Sequence, residues 1–411
     1  MTFLTDKTGS EAGRPEGATG TLGSARPIGL WGYTGVAVTS LGGPLALAAM
    51  AAPMIAFGAA SSAGLAMIAS AVAFCFPLAI WFGYARHISS SAGLYAFTEA
   101  AAGRRVALLQ GGLWVLSYLL YLVYTPAQIV YDTLPAVLPG EVRYQTPLEI
   151  VIPVVLAGVM IAGRRAALLV IGLLAAGQLA IAAALAGVTL SGFTTPASSF
   201  GGSAPAGSLA IASGQTALLY ICGSLPFFMG GELGGAGRAF RTARRGLLGA
   251  YLATVVVTIA AVAPLAADPA MMQGAIPGMS VAQQFAGRGF AVTVGIAVAA
   301  SVAGLILVEY LALSRLAVAL TAWPMRRILV GLGVVMVATA PVLLINPDQI
   351  YSDLLMPSLF ALWLSQLVTF AVYPLFVARR GGRLLPALVL AAGASALALY
   401  GLWTAIQSAT S

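Results

Sequence analysis

The feature that most constrains this chain is a succession of long, uninterrupted apolar stretches. Only 8% of its residues are charged and 60% are hydrophobic, with a mean hydropathy of +0.96. A soluble domain carries about 25% charged residues, so this composition cannot supply a water-facing surface. Lipid is therefore the main solvent, and the backbone must bond to itself as helices or as a closed barrel. The apolar runs are continuous instead of alternating, which favours helices.

Eleven runs in the sequence are long enough to cross a bilayer, which takes about 20 apolar residues. The segment 91–102 is too short and too mixed to cross, and it is predicted to be an amphipathic helix at the cytoplasmic face. We number the runs spans 1 to 11, and they cover 31–58, 63–84, 107–131, 147–163, 166–192, 210–234, 246–266, 288–318, 327–345, 351–378 and 384–408.

The basic residues predict the orientation of these spans. If the N-terminus lies in the cytoplasm, 18 of the 20 Lys and Arg residues fall in cytoplasmic segments, and only Arg143 and Arg288 do not. By the positive-inside rule, this distribution predicts a bacterial cytoplasmic membrane protein with its N-terminus inside and its C-terminus outside. The predicted outer segments instead carry acidic residues, which are Asp132, Glu141, Glu149, Asp268, Asp348 and Asp353.

Several classes of protein are disfavoured by the same sequence. The net charge of +8 comes from short loops and forms no basic patch interleaved with aromatic residues, so nucleic acid is not a predicted partner. Cys75 and Cys222 lie inside apolar runs without CxxC spacing, and His87 is the single histidine, so no metal site and no cofactor are predicted. No catalytic set such as HExxH is present, and an enzyme is not predicted. Residues 1–29 are polar and are predicted to be a disordered tail.

Spans 1 and 6 are both interrupted by glycine and proline. Span 1 contains Ser40-Leu41-Gly42-Gly43-Pro44-Leu45, and span 6 contains Ile221-Cys222-Gly223-Ser224-Leu225-Pro226. Glycine weakens the helix and proline removes a backbone donor, although either residue can also merely kink or pack a membrane helix. Two such breaks five helices apart are typical of inverted-repeat transporters. The predicted repeats are 30–192 and 209–378, with 384–411 as a peripheral eleventh helix and tail.

The breaks predict where a substrate binds. Free N–H groups at the start of a half-helix attract a carboxylate, and free carbonyls accept from an ammonium group. A zwitterionic amino acid or a related amine suits such a site. The predicted binding residues at the two breaks are Gly42, Gly43, Pro44, Leu45, Ile221, Cys222, Gly223 and Ser224.

Three segments resemble the amino acid–polyamine–organocation superfamily, in particular its bacterial amino acid permeases. Residues 84–97 (YARHISSSAGLYAF) are similar to the segment that follows helix 2 in that family, with Ser where a Pro is usual. Gly230-Gly231-Glu232-Leu233 with Arg238 to Arg245, and Leu313-Ser314-Arg315-Leu316, are similar to the ends of its helices 6 and 8. The resemblance implies a leucine-transporter-type fold, normally with twelve helices, of which this chain has eleven.

Glu309 is the sharpest candidate for a functional side chain. It lies inside the apolar run of span 8, where an ionisable residue costs about 2.5–3.5 kcal/mol and usually faces a cavity. It is predicted to bind a substrate amine or to carry a coupling proton; the alternative is an ion pair with Arg315. Tyr310 beside it, and Tyr118 and Tyr121 on one stripe of span 3, are predicted to wall the site unless they only pack.

Three further residues are candidates for coupling or gating. The resemblance implies that Gln178 in span 5 stands where many family members place a lysine that replaces a sodium ion. Glutamine does not titrate near neutral pH, which favours exchange or facilitation over proton coupling through this position. The resemblance also implies that Glu232 closes the cytoplasmic end by pairing with Arg86 or with an arginine of 238–245. The alternatives are an interhelical hydrogen bond for Gln178 and a solvated charge for Glu232.

The sequence thus predicts a secondary transporter for an amino acid, working by exchange, uniport or proton symport. The alternative is a carrier of an organic amine or polyamine with Glu309 as the counter-charge. The predicted partners are the small-molecule substrate, a proton under the symport alternative, and membrane lipids. A channel is disfavoured because two broken helices in one chain are typical of carriers.

Overall fold

The structure is a computed structural model that describes residues 27–138 and 142–410, and it is helical in each of the eleven predicted spans. Residues 1–26, most of the predicted N-terminal tail, lie outside the described residues. The spans, in chain order, are Leu30–Ser40 with Pro44–Ala46, Leu47–Ala51 and Ala52–Ala56; Ala63–Ala85; Arg104–Ala127 with Gln128–Thr133 and Leu134–Val137; Gln145–Ile161; Arg164–Gly192; Ala206–Leu219 with Ile221–Glu232; Ala236–Val262; Arg288–Thr321; Met325–Leu343; Pro347–Ala371 with Tyr373–Ala378; and Leu384–Thr410.

Helix length agrees with eleven crossings in the described part of the chain. Nine helical segments are long and apolar enough to cross a membrane, and the first of them, Leu30–Ala85, has 56 residues. At 1.5 Å per residue that segment is about 84 Å long, so it must cross a bilayer core of about 30 Å twice. The chain turns at Phe57–Ser62, where Ala59 is not helical. Gln145–Ile161, with 17 residues, is just long enough to be the remaining crossing.

The predicted ends of the spans agree with the structure to within a few residues in most cases, and span 7 is the clearest exception. It begins at Ala236, ten residues before the predicted start at 246. The arginines predicted to lie in a loop are therefore on the first three turns of a helix, with exposed side chains; they are Arg238, Arg241, Arg244 and Arg245. Long basic side chains can extend from a helix end to the membrane surface, so these turns need no apolar sequence.

The segment 91–102 also forms a helix, Leu94–Ala102, as predicted. Its apolar face is covered by protein: Leu94 and Phe97 are buried, and the hydroxyl of Thr98 lies 3.2 Å from that of Thr369 in span 10. The second connecting helix is Pro277–Ala286, between spans 7 and 8.

Span 8 forms the centre of the bundle. Every residue from 304 to 316 is buried, including Glu309 and Arg315. A helix that is buried on all faces must be surrounded by other helices. Span 8 accordingly packs against spans 1, 3, 5, 6 and 9.

Span 1 is interrupted at its middle. The first helical segment ends at Ser40, and the next begins at Pro44. Gly42 and Gly43 have φ angles of 78° and 64°, which L-residues with a side chain rarely adopt. Proline is well suited to the first position of the second segment because it has no N–H to satisfy there.

Two polar side chains from other spans hold this interruption in place. The amide nitrogen of Gln178 in span 5 donates to Thr39 Oγ1 at 3.2 Å, and its amide oxygen accepts from the hydroxyl of Ser301 in span 8. A Cβ atom on Gly43 would lie against Ser301 Oγ and within 2.9 Å of Gln178 Oε1. Spans 1, 5 and 8 therefore meet at Gly43, and glycine is required there for space as well as for backbone conformation.

The glycine–proline segment of span 6 has a different structure from that of span 1. The α-helix ends at Leu219, and Ile221–Glu232 continues as a 3₁₀ helix. Gly223 N–H donates to the carbonyl of Tyr220 at 2.8 Å, which is the three-residue spacing of that winding. Span 6 therefore changes from an α-helix to a 3₁₀ helix at Tyr220, whereas the sequence predicts an open break there.

We predict that Gly43→Ala destabilises the folded protein. The positive φ angle alone costs an L-residue about 1–3 kcal/mol, and the contacts with Ser301 and Gln178 add to that cost. Thermal unfolding of the purified protein in detergent measures the effect. Gly187→Ala in span 5, where nothing lies within 4 Å of the added Cβ, is the matched control and should not lower the midpoint. Equal midpoints for both variants would show that Gly43 is not under this constraint.

Candidate functional site

A cavity of about 430 Å³ lies beside the interruption of span 1. It starts at Gly42 and Cys222 and extends along span 1 to Ile55, thirteen residues further on. That distance is about 20 Å along a helix. Its remaining walls come from spans 3, 6, 8, 10 and 11, through Tyr121, Gln128, Gln215, Leu218, Leu219, Ile221, Val302, Leu305, Leu359, Leu362, Trp363 and Thr404.

Four of the predicted binding residues line this cavity: Gly42, Tyr121, Ile221 and Cys222. The other residues at the two breaks are buried in the packing around it. Gly43 faces Gln178 and Ser301, and Gly223 packs against Leu41. The structure places the remaining three, Pro44, Leu45 and Ser224, in the buried core.

Glu309 lies directly beneath the cavity. It is on the same face of span 8 as Val302 and Leu305, which line the cavity, because it follows them by seven and four residues. One carboxylate oxygen lies 3.9 Å from Cys222 Sγ, and the other has no hydrogen-bond partner among the described residues. A fully buried carboxylate with a free oxygen is ready to bind a proton or a cation. Arg315, the alternative partner considered for Glu309, pairs with Glu232 instead.

The tyrosine stripe of span 3 leads from the cavity towards this carboxylate. Tyr118 Oη donates to Cys222 Sγ at 3.6 Å, and the ring centroids of Tyr118 and Tyr121 are 6.3 Å apart. Tyr121 reaches the cavity wall, whereas Tyr118 lies one layer deeper beside Cys222. The stripe thus places hydroxyl groups and aromatic rings around Cys222 and Glu309.

Tyr310 was predicted to wall the site beside Glu309, and this prediction is wrong. Its hydroxyl donates to the carbonyl of Leu329 in span 9, on the other side of span 8. Consecutive residues of a helix point about 100° apart, so the neighbour of a cavity-facing residue usually faces elsewhere. Tyr310 is a packing residue between spans 8 and 9.

Glu232 is held by two arginines at the end of the bundle that carries the arginine-rich loops. Its two carboxylate oxygens lie 2.5 Å from Arg315 Nε and 3.1 Å from Arg164 Nη1. We call this group the Glu232 clamp; it joins spans 5, 6 and 8. The predicted partners, Arg86 and the arginines of 238–245, were wrong, because Arg86 is exposed and the others lie on the outer face of span 7.

Span 1 is tied to the same place by its backbone. The N–H of Ile28 donates to the carbonyl of Glu232 at 2.9 Å, and Ser89 Oγ donates to that of Gly230 at 2.8 Å. The family-like segments 84–97 and 230–233 therefore contact each other. These contacts join spans 1, 5, 6 and 8 at this end, beside a second cavity of about 200 Å³ that Arg164, Glu232 and Arg315 help to line, whereas the central cavity extends towards the other end.

The single histidine adds no charge to the arginine-rich end. His87 follows span 2, and its ring centroid lies 6.0 Å from that of Phe376. Partial burial lowers its pKa from the usual value, and Arg380 and Arg86 lower it further. His87 is therefore neutral at neutral pH.

Five polar or aromatic residues around the cavity were not predicted from the sequence, and two of them, Gln128 and Gln215, are on its wall. Trp363 and Thr404 line it, and Gln366, fully buried in span 10, donates to Ser224 Oγ at 3.4 Å. Polar residues inside the apolar run of span 10 were a usable signal for Gln366, since such residues usually face a bundle interior. Thr404 also corrects the prediction that span 11 is peripheral, because it places this helix on the cavity wall.

No protein-family model and no curated protein matches the sequence, but solved structures do. A manganese transporter from Eremococcus coleocola, in complex with an aromatic bis-isothiourea compound, superposes with a TM-score of 0.62 at 11% identity, covering 94% of this chain and 91% of that one. A Na⁺-coupled sialic acid symporter superposes with a TM-score of 0.51 at 13% identity, covering 92% and 90%. At these identities the likeness shows the fold alone.

The described part of the chain is therefore all-α, and the chain is a polytopic integral membrane protein that shares the fold of these transporters. The two compared proteins bind small molecules or ions of different kinds, so the fold does not identify the substrate. The cavity and its lining must supply that information.

We predict that Arg315→Gln destabilises the Glu232 clamp. Removing one partner of a buried ion pair costs about 3–5 kcal/mol, and the lower end applies because Glu232 keeps Arg164. The thermal unfolding midpoint should fall accordingly. Arg327→Gln, at an exposed position near the start of span 9, is the control and should leave the midpoint unchanged. A midpoint for Arg315→Gln equal to that of the control would show that the clamp does not hold this end together.

Proposed function

We propose that this protein is a secondary transporter that moves an amino acid across the membrane by alternating access. The observation that carries the proposal is the position of the cavity, which begins at the interruption of span 1 and has the Glu232 clamp closed below it. A site at the middle of a bundle that is closed at one end is what alternating access requires.

The two ends of an amino acid have suitable partners in this site. The N–H groups of Leu45 and Ala46 open the second segment of span 1, and the first N–H groups of a helix have no partner within it. They would hold the carboxylate beside Gly42. The Glu309 carboxylate, which lies beside Cys222, would hold the ammonium group.

An organic amine is the second candidate substrate, and one observation favours it. Among the described residues that line the cavity, none is charged, while Glu309 lies immediately beneath with a free oxygen. A monocation would neutralise this carboxylate without needing the N–H groups of span 1. The two candidates are distinguished by whether a substrate needs its carboxylate.

The coupling of transport to an ion is proposed from Gln178 and Glu309. Gln178 joins spans 1 and 8 without a titratable group, so exchange or uniport needs no ion at that position. Proton symport would instead use Glu309. The Glu232 clamp would act as the gate of the arginine-rich end.

We also propose an orientation in the membrane and a family for the chain. We infer that the arginine-rich end faces the cytoplasm of a bacterium, with the N-terminus inside and the C-terminus outside. The segments 30–192 and 209–378 would form the inverted repeats of an amino acid–polyamine–organocation transporter. The different windings of spans 1 and 6 would then be a departure from the symmetry of the repeats.

Counterflow in proteoliposomes tests the proposal. Vesicles containing the protein are loaded with each of the twenty standard amino acids or with putrescine or spermidine, and accumulation of trace label is followed at two pH values. We expect saturable accumulation with at least one amino acid. Accumulation with amines alone would select the second candidate, and none with any compound would contradict both.

We predict that Glu309→Gln abolishes this counterflow or its pH dependence, because the amide keeps the shape but removes the charge. The initial rate of counterflow is the measurement. Glu149→Gln in span 4 is the matched control, since Glu149 is also a fully buried carboxylate without a hydrogen-bond partner among the described residues, but span 4 contributes nothing to the cavity wall. Unchanged counterflow and pH dependence in Glu309→Gln would remove Glu309 from the mechanism.

A further inference from the structure

The central cavity is larger and more apolar than a backbone-held head group requires. Its volume is about 430 Å³, and most of its wall is aliphatic or aromatic. The polar lining is sparse: Cys222 and Tyr121 lie near Glu309, and Gln128, Gln215 and Thr404 are elsewhere on the wall. Between them the wall is formed by residues such as Leu47, Met50, Leu218, Leu305, Leu362 and Trp363.

An apolar wall of this kind selects for apolar groups. Release of water from such a wall lowers the free energy, and each methylene group of a ligand buried there contributes about 0.8 kcal/mol to binding. A small polar substrate would leave most of the wall in contact with water. The part of the substrate that extends from Gly42 and Cys222 into the cavity is therefore expected to be large and apolar.

The position of Trp363 limits the size of the apolar group that the cavity can hold. Its side chain is buried on the cavity wall, and its indole ring lies against Gly401 of span 11. A Cβ atom on Gly401 would overlap the indole ring, so this glycine determines how far Trp363 can withdraw from the cavity. Span 11 thus contributes to the cavity both through Thr404 and by supporting Trp363.

We propose that the substrate carries a bulky apolar side chain and that Trp363, seated on Gly401, sets the largest side chain that the cavity accepts. The inference rests on the proposed function, because it assumes that the amino-acid head group is held at Gly42 and Cys222. It adds the class of side chain and a pair of residues that determine specificity.

Two parallel ligand series test the proposal on the purified full-length chain by isothermal titration calorimetry. One series is alanine, α-aminobutyrate, norvaline, norleucine, phenylalanine and tryptophan; the other is the n-alkylamines from ethylamine to hexylamine. We expect the Kd in the straight-chain amino acid series to fall about fourfold per methylene group, which is 0.8 kcal/mol expressed as a binding ratio.

The two series separate failure of this inference from failure of the proposed function. Amino acids that bind with a Kd independent of chain length would overturn the apolar side chain and leave amino acid transport standing. Alkylamines that follow the fourfold trend while no amino acid binds would support the apolar wall and overturn the amino acid. If neither series binds, both proposals are overturned.

Variants of the tryptophan and the glycine test the size limit. Trp363→Ala should move the tightest-binding chain length to longer ligands, and Gly401→Ala, which pushes the indole ring into the cavity, should move it to shorter ones. Trp403→Ala is the matched control, because Trp403 is on the same helix as Gly401 but is 48% exposed on the outside of the bundle. The same preferred length in Trp363→Ala and Trp403→Ala would overturn the assignment of Trp363.

Discussion

The interruption of span 1 at Gly42 and Gly43 is the constraint on which the rest of the site depends. The positive φ angles of the two glycines open the helix, and Pro44 restarts it without an unsatisfied donor. An open segment inside a bilayer is stable only where protein supplies the missing contacts. The side chains of Gln178 and Ser301, bonded to each other, pack against it on one side, and the cavity lies on the other.

The number and type of the spans could be predicted because continuous apolar sequence in lipid leaves the backbone few alternatives. The position of the break in span 1 could be predicted because Gly42, Gly43 and Pro44 disfavour a continuous helix through their own local conformation. The start of span 7 could not be predicted, because exposed arginines can continue a helix beyond its apolar part. The 3₁₀ winding of span 6 and the side of span 8 that Tyr310 faces depend on neighbouring helices, which no local pattern contains.

The ion-pair partners of Glu232 also could not be predicted from the local sequence. Arg315 and Arg164 are 83 and 68 residues away along the chain, whereas the partners that the resemblance implied were Arg86 and the arginines of 238–245. The clamp they form closes spans 5, 6 and 8 at the end opposite the cavity opening. If the protein alternates access as proposed, the clamp opens in each cycle, and contacts formed in the open state must recover the free energy that its ion pairs lose. The apolar wall of the cavity is one available source of that energy.

Accessibility of Cys222 tests the central claim of a cavity that opens to one side at a time. With Cys75 on the bundle surface replaced by serine, Cys222 is the only thiol, and it lines the cavity. A membrane-impermeant thiol reagent is applied to right-side-out and to inverted vesicles, with and without transported amino acid. We expect fast reaction from the side opposite the arginine-rich end and slower reaction when substrate is present. Equal rates from both sides, unaffected by any substrate, would contradict this expectation and indicate an open pore.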